Sequence, residues 1–267
     1  MIPPGRTERF LQVAGAALAG LAALLLTLLY AEFPLPFDHA VAACLPQDCF
    51  NERLRVEPIL QPSATYSSLA FAVAGGYLLA TSAIMRRSGV GHRATGFFLT
   101  SLGAVSFIVG LGSAVYHARF TFLGQTLDVL GMNLIAFQLL IFSLVAKGTL
   151  SLRNGRRVLV SLGAASVVFL VVLPQYRRTM FAAFLGVALT IEIVRLGGIS
   201  RLLHSKLGLG LGIFLLGYVF WILDDVGIWF SATSPLQGHS VWHVVGAVAV
   251  VLLAEHERSE STSLRYA

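Results

Sequence analysis

Long apolar runs alternate with short polar segments along almost the whole chain. Most of the runs are long enough for an α-helix to cross the hydrocarbon core of a bilayer, which takes about 20 residues; the fifth, sixth and eighth runs are shorter. The pattern predicts about eight transmembrane helices. The runs cover residues 11–30, 63–85, 94–116, 125–146, 158–173, 180–194, 207–230 and 240–253.

Composition supports a membrane protein of the all-α class. The 267-residue chain is 56% apolar and 12% charged, whereas a soluble domain has about 25% charged residues. A membrane β-barrel would instead alternate apolar and polar residues in strands of roughly ten residues. We therefore predict a polytopic membrane helical bundle without a separate soluble domain.

The basic residues predict which way the helices cross the membrane. With the N-terminus in the cytoplasm and eight crossings, 14 of the 19 lysines and arginines lie on the cytoplasmic side, as the positive-inside rule requires. Both termini are then cytoplasmic. Because topology explains the formal charge of +6, that charge does not indicate nucleic-acid binding. The five exceptions are Arg53, Arg55, Arg119, Arg177 and Arg178.

The same pattern divides the chain into four parts. The first run follows Arg6 and Arg9, so a signal peptide cleaved near residues 40–43 is an alternative to a helix, although its length favours an uncleaved span. The charged C-terminal tail is expected to be disordered. The parts are a basic segment with a transmembrane helix (1–30), an extracytoplasmic loop (31–62), a seven-helix membrane domain (63–254) and a cytoplasmic tail (255–267).

Polar residues that are rare inside membrane helices gather at one predicted depth. His117 lies at the extracytoplasmic end of the third span, and Asp128 lies about one turn into the fourth. His239 and His243 begin the eighth span from the same side, and Ser67 lies near that end of the second. Because ionisable residues in membrane spans are usually functional, we expect one site in the extracytoplasmic leaflet.

The three histidines suit a metal ion. His239 and His243 are four residues apart, so they share a helix face and can bind one cation; His117 can supply a third nitrogen. Three histidines with an open fourth position are typical of catalytic zinc, which activates water, although imidazole also binds copper and haem iron. Asp128 would then be a general base or a residue that orients that water, and Ser113 could hydrogen-bond an oxyanion. The alternative is that each histidine only packs and forms hydrogen bonds.

Other polar groups allow several interpretations. Asp224 and Asp225 could orient a ligand or pair with an arginine. Cys44 and Cys49 lie on the predicted extracytoplasmic side, where a local disulfide is feasible. Acids in the same loop could bind Ca²⁺ or be solvated, and the remaining histidines are expected to be solvated. These acids are Asp48, Glu52 and Glu57, and these histidines are His39, His92, His204 and His256.

The sequence resembles the alkaline ceramidases over about residues 49–253. Three signature blocks of that family are similar to GLGSAVYHARF, QTLD and HSVWH. TYSSL resembles the first family helix, and WILDD resembles a further block. The family belongs to the CREST superfamily of membrane hydrolases, which is related to the PAQR receptors. The resemblance implies a seven-helix ceramidase-like core, to which the first span of this chain is an addition.

The resemblance also implies roles for the site residues. The three histidines would bind Zn²⁺, Asp128 would be the base for water, and Ser113 would support the oxyanion. Ser67 or Ser68 would sit beside the metal. The family also holds Ca²⁺ with acids just before its first helix. Gln61 stands where that helix would begin with Glu, and CFNER keeps few of those acids, so calcium binding is left open.

Two functional hypotheses follow from the residues and the resemblance. Family ceramidases hydrolyse the amide of ceramide to a long-chain base and a fatty acid, so the first hypothesis is a zinc-dependent amide hydrolase of a ceramide-like membrane lipid. The residues do not distinguish an amide from an ester. The second hypothesis is a non-catalytic lipid receptor of the PAQR type with a structural metal. A transporter is disfavoured because the chain has no internal repeat.

Overall fold

The structure is a computed structural model that describes residues 5–36, 38, 40–42, 44, 50–56, 58–88, 93–228 and 231–261. Within these residues it contains nine α-helices, and eight candidate spans are long and apolar enough to cross a membrane. The predicted polytopic helical bundle is therefore confirmed. The helices are α1 (Arg6–Glu32), α2 (Pro62–Arg87), α3 (Arg93–Arg119), α4 (Phe122–Ala146), α5 (Leu152–Val172), α6 (Arg177–Leu196), α7 (Ile199–Leu203), α8 (Lys206–Asp225) and α9 (Gly238–Ser261).

Helix α3 lies at the centre of the bundle. It packs against α1, α2, α4 and α9, and α2 packs against α9 to close the group. A Cβ atom at Gly112 would come within 2.9 Å of the Leu127 side chain and 3.1 Å of the Asp128 backbone nitrogen. The missing side chain therefore lets α3 and α4 approach closely, as small residues do between membrane helices.

A tight turn joins α3 to α4 at the end of the bundle where α2 and α9 begin, which we call the site end. Phe120 has a φ of 50°, in the left-handed region that non-glycine residues seldom occupy. Two hydrogen bonds of 2.8 Å, from Ala42 N to Phe120 O and from Phe122 N to Ala40 O, hold this turn against the segment that follows α1. This turn places the end of α3 and the start of α4 side by side.

Helix α9 is longer than its apolar run. It continues to Ser261, so the part of the tail predicted to be disordered is helical through that residue. An ion pair of 3.0 Å between Lys206 and Glu255 attaches this extension to the start of α8. The prediction that His256 is solvated was wrong, because the extension carries it into the bundle, where it is 1% exposed. His204 is exposed, as predicted.

Candidate metal site

Three buried imidazoles meet at the site end of the bundle. His117 comes from the last turn of α3, and His239 and His243 come from the first turns of α9. One ring nitrogen from each lies within 4.8 Å of the others, and no other group of this kind occurs among the described residues. All three residues are buried. The structure therefore brings together the three histidines that the sequence pattern singled out.

The hydrogen bonds of two imidazoles leave the same ring nitrogen available. His117 Nδ1 lies 3.0 Å from Oε1 of Gln61, which only accepts, so Nδ1 carries the hydrogen and Nε2 the lone pair. His243 Nδ1 lies 2.9 and 3.2 Å from the hydroxyls of Ser67 and Ser68. Because the Ser67 hydroxyl donates to a backbone carbonyl of α2, it accepts from Nδ1, and Nε2 of His243 also presents a lone pair.

The cluster has fewer hydrogen-bond partners than its nitrogens require. His117 Nε2 and His239 Nε2 are 3.0 Å apart, and the buried Nδ1 of His239 has no hydrogen-bond partner. Buried polar groups are normally paired, and a cation could be bound by the ring nitrogens that face one another here. Imidazole nitrogens suit zinc, copper or iron, so the residues present fit a transition-metal ion.

Ser113 and Asp128 lie beside the histidines. The Ser113 hydroxyl is 3.3 Å from Nε2 of His243 and accepts a hydrogen bond of 3.0 Å from Ser68. The carboxyl of Asp128, on the adjoining part of α4, lies close enough to interact with the same hydroxyl. Ser113 thus lies near both an imidazole and a carboxyl group, and a carboxyl group in this position can exchange protons with a reacting molecule.

The acidic pair at the end of α8 positions helix α9. The carboxylate of Asp224 accepts hydrogen bonds of 3.2 Å from the backbone N–H groups of Gly238 and His239. A carboxylate at a helix N-terminus is favourable because of the helix dipole, and here it fixes the turn that carries the first α9 histidine. Asp225 instead pairs with Arg178 at 3.8 Å. Asp225 therefore follows the arginine alternative of the sequence analysis, whereas Asp224 caps helix α9.

A segment before α2 covers the histidines. The ring of Phe50 stacks on His239 with centroids 4.0 Å apart. The Glu52 carboxylate accepts hydrogen bonds from the backbone N–H groups of Ser63 and Ala64 at 2.8 and 3.0 Å, so it caps α2. Burial raises the pKa of the Glu52 carboxyl, whereas these two N–H groups oppose that shift. The segment is thus attached to the first turn of α2.

A groove opens between α2 and α9 next to the site. It has a volume of about 610 Å³. Tyr66 and Val244 line it and are nearly half exposed. Its lining also includes Ser67, whose hydroxyl contacts His243. The groove therefore connects the lateral surface of the bundle with the histidines.

Sequence reasoning did not find the contacts that Phe50 and Gln61 make with the histidines. Gln61 is 56 positions from His117, and no local spacing relates them. The signal that was present is the Pro62 that follows Gln61, because proline is typical of the first position of a helix. A helix start at this point places Gln61 at the site end, but it does not indicate which side chain Gln61 contacts.

The predicted calcium and disulfide residues lie mostly beyond what the structure describes. Glu52 caps α2. Asp48, Glu57 and Cys49 lie outside the described residues, as do His39 and His92. Cys44 is disulfide-bonded, which agrees with the predicted local disulfide, whereas calcium binding stays a prediction.

We compared the chain with known proteins and protein families. A search of curated proteins finds no match to the chain. The family model described as Ceramidase matches residues 61–261, which is more than half of the 267 residues. The matched range includes α2 to α9 and all three histidines, and α1 lies outside it. The chain therefore belongs to the ceramidase family.

Proposed function

We propose that the protein is a zinc-dependent membrane hydrolase that cleaves the amide bond of a ceramide-like N-acyl lipid and releases a fatty acid. The observation that carries the proposal is the meeting of three buried imidazoles beside a serine and a carboxyl group. Membership of the ceramidase family supports the bond type and the lipid class. Three histidine ligands are typical of catalytic zinc, which favours zinc over copper or iron.

The three histidines would hold the ion through their Nε2 atoms. Gln61 and Ser67 fix the tautomers of His117 and His243 that this requires. When bound, zinc supplies Lewis acidity toward water and the amide carbonyl. Residues of the chain would bind the lipid and transfer the protons.

Asp128 is the proposed general base and acid. Its carboxylate takes a proton from water as the water oxygen bonds to the carbonyl carbon, and it returns a proton to the amine nitrogen as the C–N bond breaks. Ser113, within reach of both Asp128 and His243, hydrogen-bonds the carbonyl oxygen as negative charge develops there. Water and amide are converted into a carboxylic acid and an amine, and no further reactant is needed.

Lipid is proposed to reach the site sideways, through the groove between α2 and α9. Phe50 covers His239 from the end of the bundle, whereas the groove brings apolar surface up to Ser67. An acyl chain can lie along Tyr66 and Val244 with its amide next to Ser67. The distribution of lysine and arginine supports placing this end of the bundle in the extracytoplasmic leaflet.

A lipid hydrolysis screen tests the proposed function. The purified protein is incubated in mixed micelles with N-acyl sphingosine, with diacylglycerol and with total lipid extract, and the products are identified by mass spectrometry. We expect free fatty acid and a long-chain base from the amide substrate. Asp128→Asn should lower this rate by about 10²–10⁴-fold, the usual contribution of a general base, without lowering metal content.

The matched control is Asp225→Asn, the same chemical change at an acid that pairs with Arg178 outside the cluster. Asp225→Asn should hydrolyse lipid at close to the wild-type rate. Fatty acid released from the ester alone would contradict the amide specificity. Tight lipid binding without acyl release, equal in wild type and Asp128→Asn, would instead identify a receptor.

A further inference from the structure

Gln61, the residue before α2, contacts His117 through both its side chain and its backbone. Its Oε1 atom lies 3.0 Å from Nδ1 of His117, and its backbone nitrogen donates to the His117 carbonyl at 3.1 Å. Its Nε2 atom donates to the Glu52 carbonyl at 2.8 Å. Gln61 is fully buried, so water does not compete for any of these bonds.

These contacts fix the orientation of the Gln61 amide. If the amide were rotated by half a turn, its oxygen would face the carbonyl oxygen of Glu52, and two acceptors would be left opposed. The NH₂ group therefore faces Glu52 and the oxygen faces His117. An oxygen in this place accepts a hydrogen from Nδ1 and holds His117 with its lone pair on Nε2.

The Gln61 amide is itself held firmly. The backbone oxygen of Gln61 accepts a hydrogen bond of 2.9 Å from Thr65 N, and the Glu52 carboxylate caps the same turn of α2. The acceptor of His117 is therefore attached to a helix start, whose position does not depend on exposed loop residues. A fixed acceptor limits the rotation of the ring as well as its tautomer.

We propose that Gln61 is a positioning residue of the metal site, which acts by holding His117 so that Nε2 points at the ion. This inference rests on the metal ion of the proposed function and adds a residue to it. Groups that hydrogen-bond metal-bound histidines change metal affinity by about 10–100-fold when they are removed. Gln61 is placed to be such a group for His117. The other candidate acceptors in the cluster, Ser67 and Ser68, contact His243 instead.

Metal affinity measured by chelator competition tests this inference without relying on lipid turnover. Gln61→Met keeps the length of the side chain but removes the acceptor, and Gln61→Glu keeps an acceptor opposite Nδ1. We expect Gln61→Met to weaken zinc binding by about 10–100-fold and to change the visible absorption of the cobalt-substituted protein. Gln61→Glu should restore the affinity and the cobalt spectrum toward those of wild type.

Gln138→Leu is the matched control. Gln138 is an equally buried amide, hydrogen-bonded to Ser101 and to the Phe98 carbonyl away from the histidines, so its replacement measures the general cost of losing such a group. It should leave zinc affinity and the cobalt spectrum unchanged.

Three outcomes would overturn the inference. They are wild-type zinc affinity in Gln61→Met, an equal loss of affinity in Gln138→Leu, and a folded Gln61→Glu protein that binds zinc as weakly as Gln61→Met. If Gln61→Met does not fold, the zinc affinity of Gln61→Glu tests the inference, because the inference requires a folded Gln61→Glu protein to bind zinc tightly. A wild-type protein that binds zinc but hydrolyses no lipid would contradict the proposed function and leave the role of Gln61 standing.

Discussion

The bundle buries a cluster of titratable side chains at each end, and the two clusters differ in how their polar atoms are paired. At the site end, nitrogens of His117 and His239 face one another at 3.0 Å, and Nδ1 of His239 has no hydrogen-bond partner. At the far end, the carboxylate of Glu192 accepts hydrogen bonds from Ser143 and from two nitrogens of Arg195.

The Glu192 carboxylate of the far cluster has donors for both of its oxygens. His256 Nε2 also contacts the Glu192 carboxylate, and Arg195 lies over the ring of Phe142 while it pairs with Glu260 at 3.1 Å. A buried charge with this many partners needs nothing more to be stable in the interior. Its residues join α4, α6 and α9.

The comparison teaches that burial alone does not mark a functional site in a membrane protein. Both clusters are buried, and both contain histidine. The difference is that ring nitrogens at the site end face one another and Nδ1 of His239 has no partner, whereas the Glu192 carboxylate at the far end is matched by donors. Facing ring nitrogens with a buried nitrogen left unpaired favour a place for a cation, and matched charges favour a structural connection between helices.

Replacing one histidine in each cluster by alanine should give the largest difference in metal content. His239→Ala removes a proposed metal ligand, so we expect the loss of bound zinc and of lipid hydrolysis down to the level of a protein-free control. His256→Ala removes a histidine of the far cluster and should keep the full metal content. Both variants are compared by elemental analysis of purified protein. Equal metal contents in the two variants would refute the distinction between the clusters.

Breaking the far cluster should lower stability without removing the metal. Arg195→Met leaves the Glu192 carboxylate buried without its main partner, which costs about 3–5 kcal/mol of unfolding free energy in known cases. Thermal unfolding in mixed micelles measures this loss, and the zinc content of the folded fraction should not change.

Arg201→Met is the control for that experiment. Arg201 is an exposed arginine of the same end whose guanidinium bonds a backbone carbonyl, and its replacement should change stability by less than about 0.5 kcal/mol. Loss of zinc from folded Arg195→Met would show instead that the two clusters act together.

A smaller effect on stability is expected at Glu52. Its carboxyl group accepts hydrogen bonds from backbone N–H groups, whereas that of Glu192 is paired with an arginine. Burial raises the pKa of Glu52, and the N–H groups of Ala64 and Ser63 only partly oppose the shift. Since the protonated form is favoured in the folded protein, its stabilising contribution is complete below the ordinary pKa of about 4.3. It is lost as pH rises through the raised pKa.

The stability of wild type relative to Glu52→Gln should therefore fall as pH rises from about 4. Unfolding measured for both proteins over a series of pH values gives this difference directly. A difference that grows with pH would mean that the backbone N–H groups outweigh burial.

The sequence predicted the helices and the meeting of the histidines for different reasons. Apolar runs identify spans because the bilayer demands them, and a spacing of four residues places His239 and His243 on one face of a helix. Alternating helices then bring His117 to the same depth. These relations are local or follow from counting the membrane crossings, so a single amino-acid sequence is enough to predict them.

Contacts between distant segments could not be obtained in the same way. The stacking of Phe50 on His239 and the bond from His117 to Gln61 depend on how each helix is rotated and on the path of the chain before α2. The burial of His256 depends on a helix that continues beyond its apolar run. Neither apolar periodicity nor motif spacing carries this information.

X-ray absorption at the zinc edge of the purified wild-type protein tests the central claim most directly. The account predicts about one zinc per chain, with about three imidazole nitrogens at about 2.0–2.1 Å and one oxygen ligand from water. A protein purified without chelators that holds no metal, or a shell built from sulfur or carboxylate oxygen in place of imidazole, would contradict it.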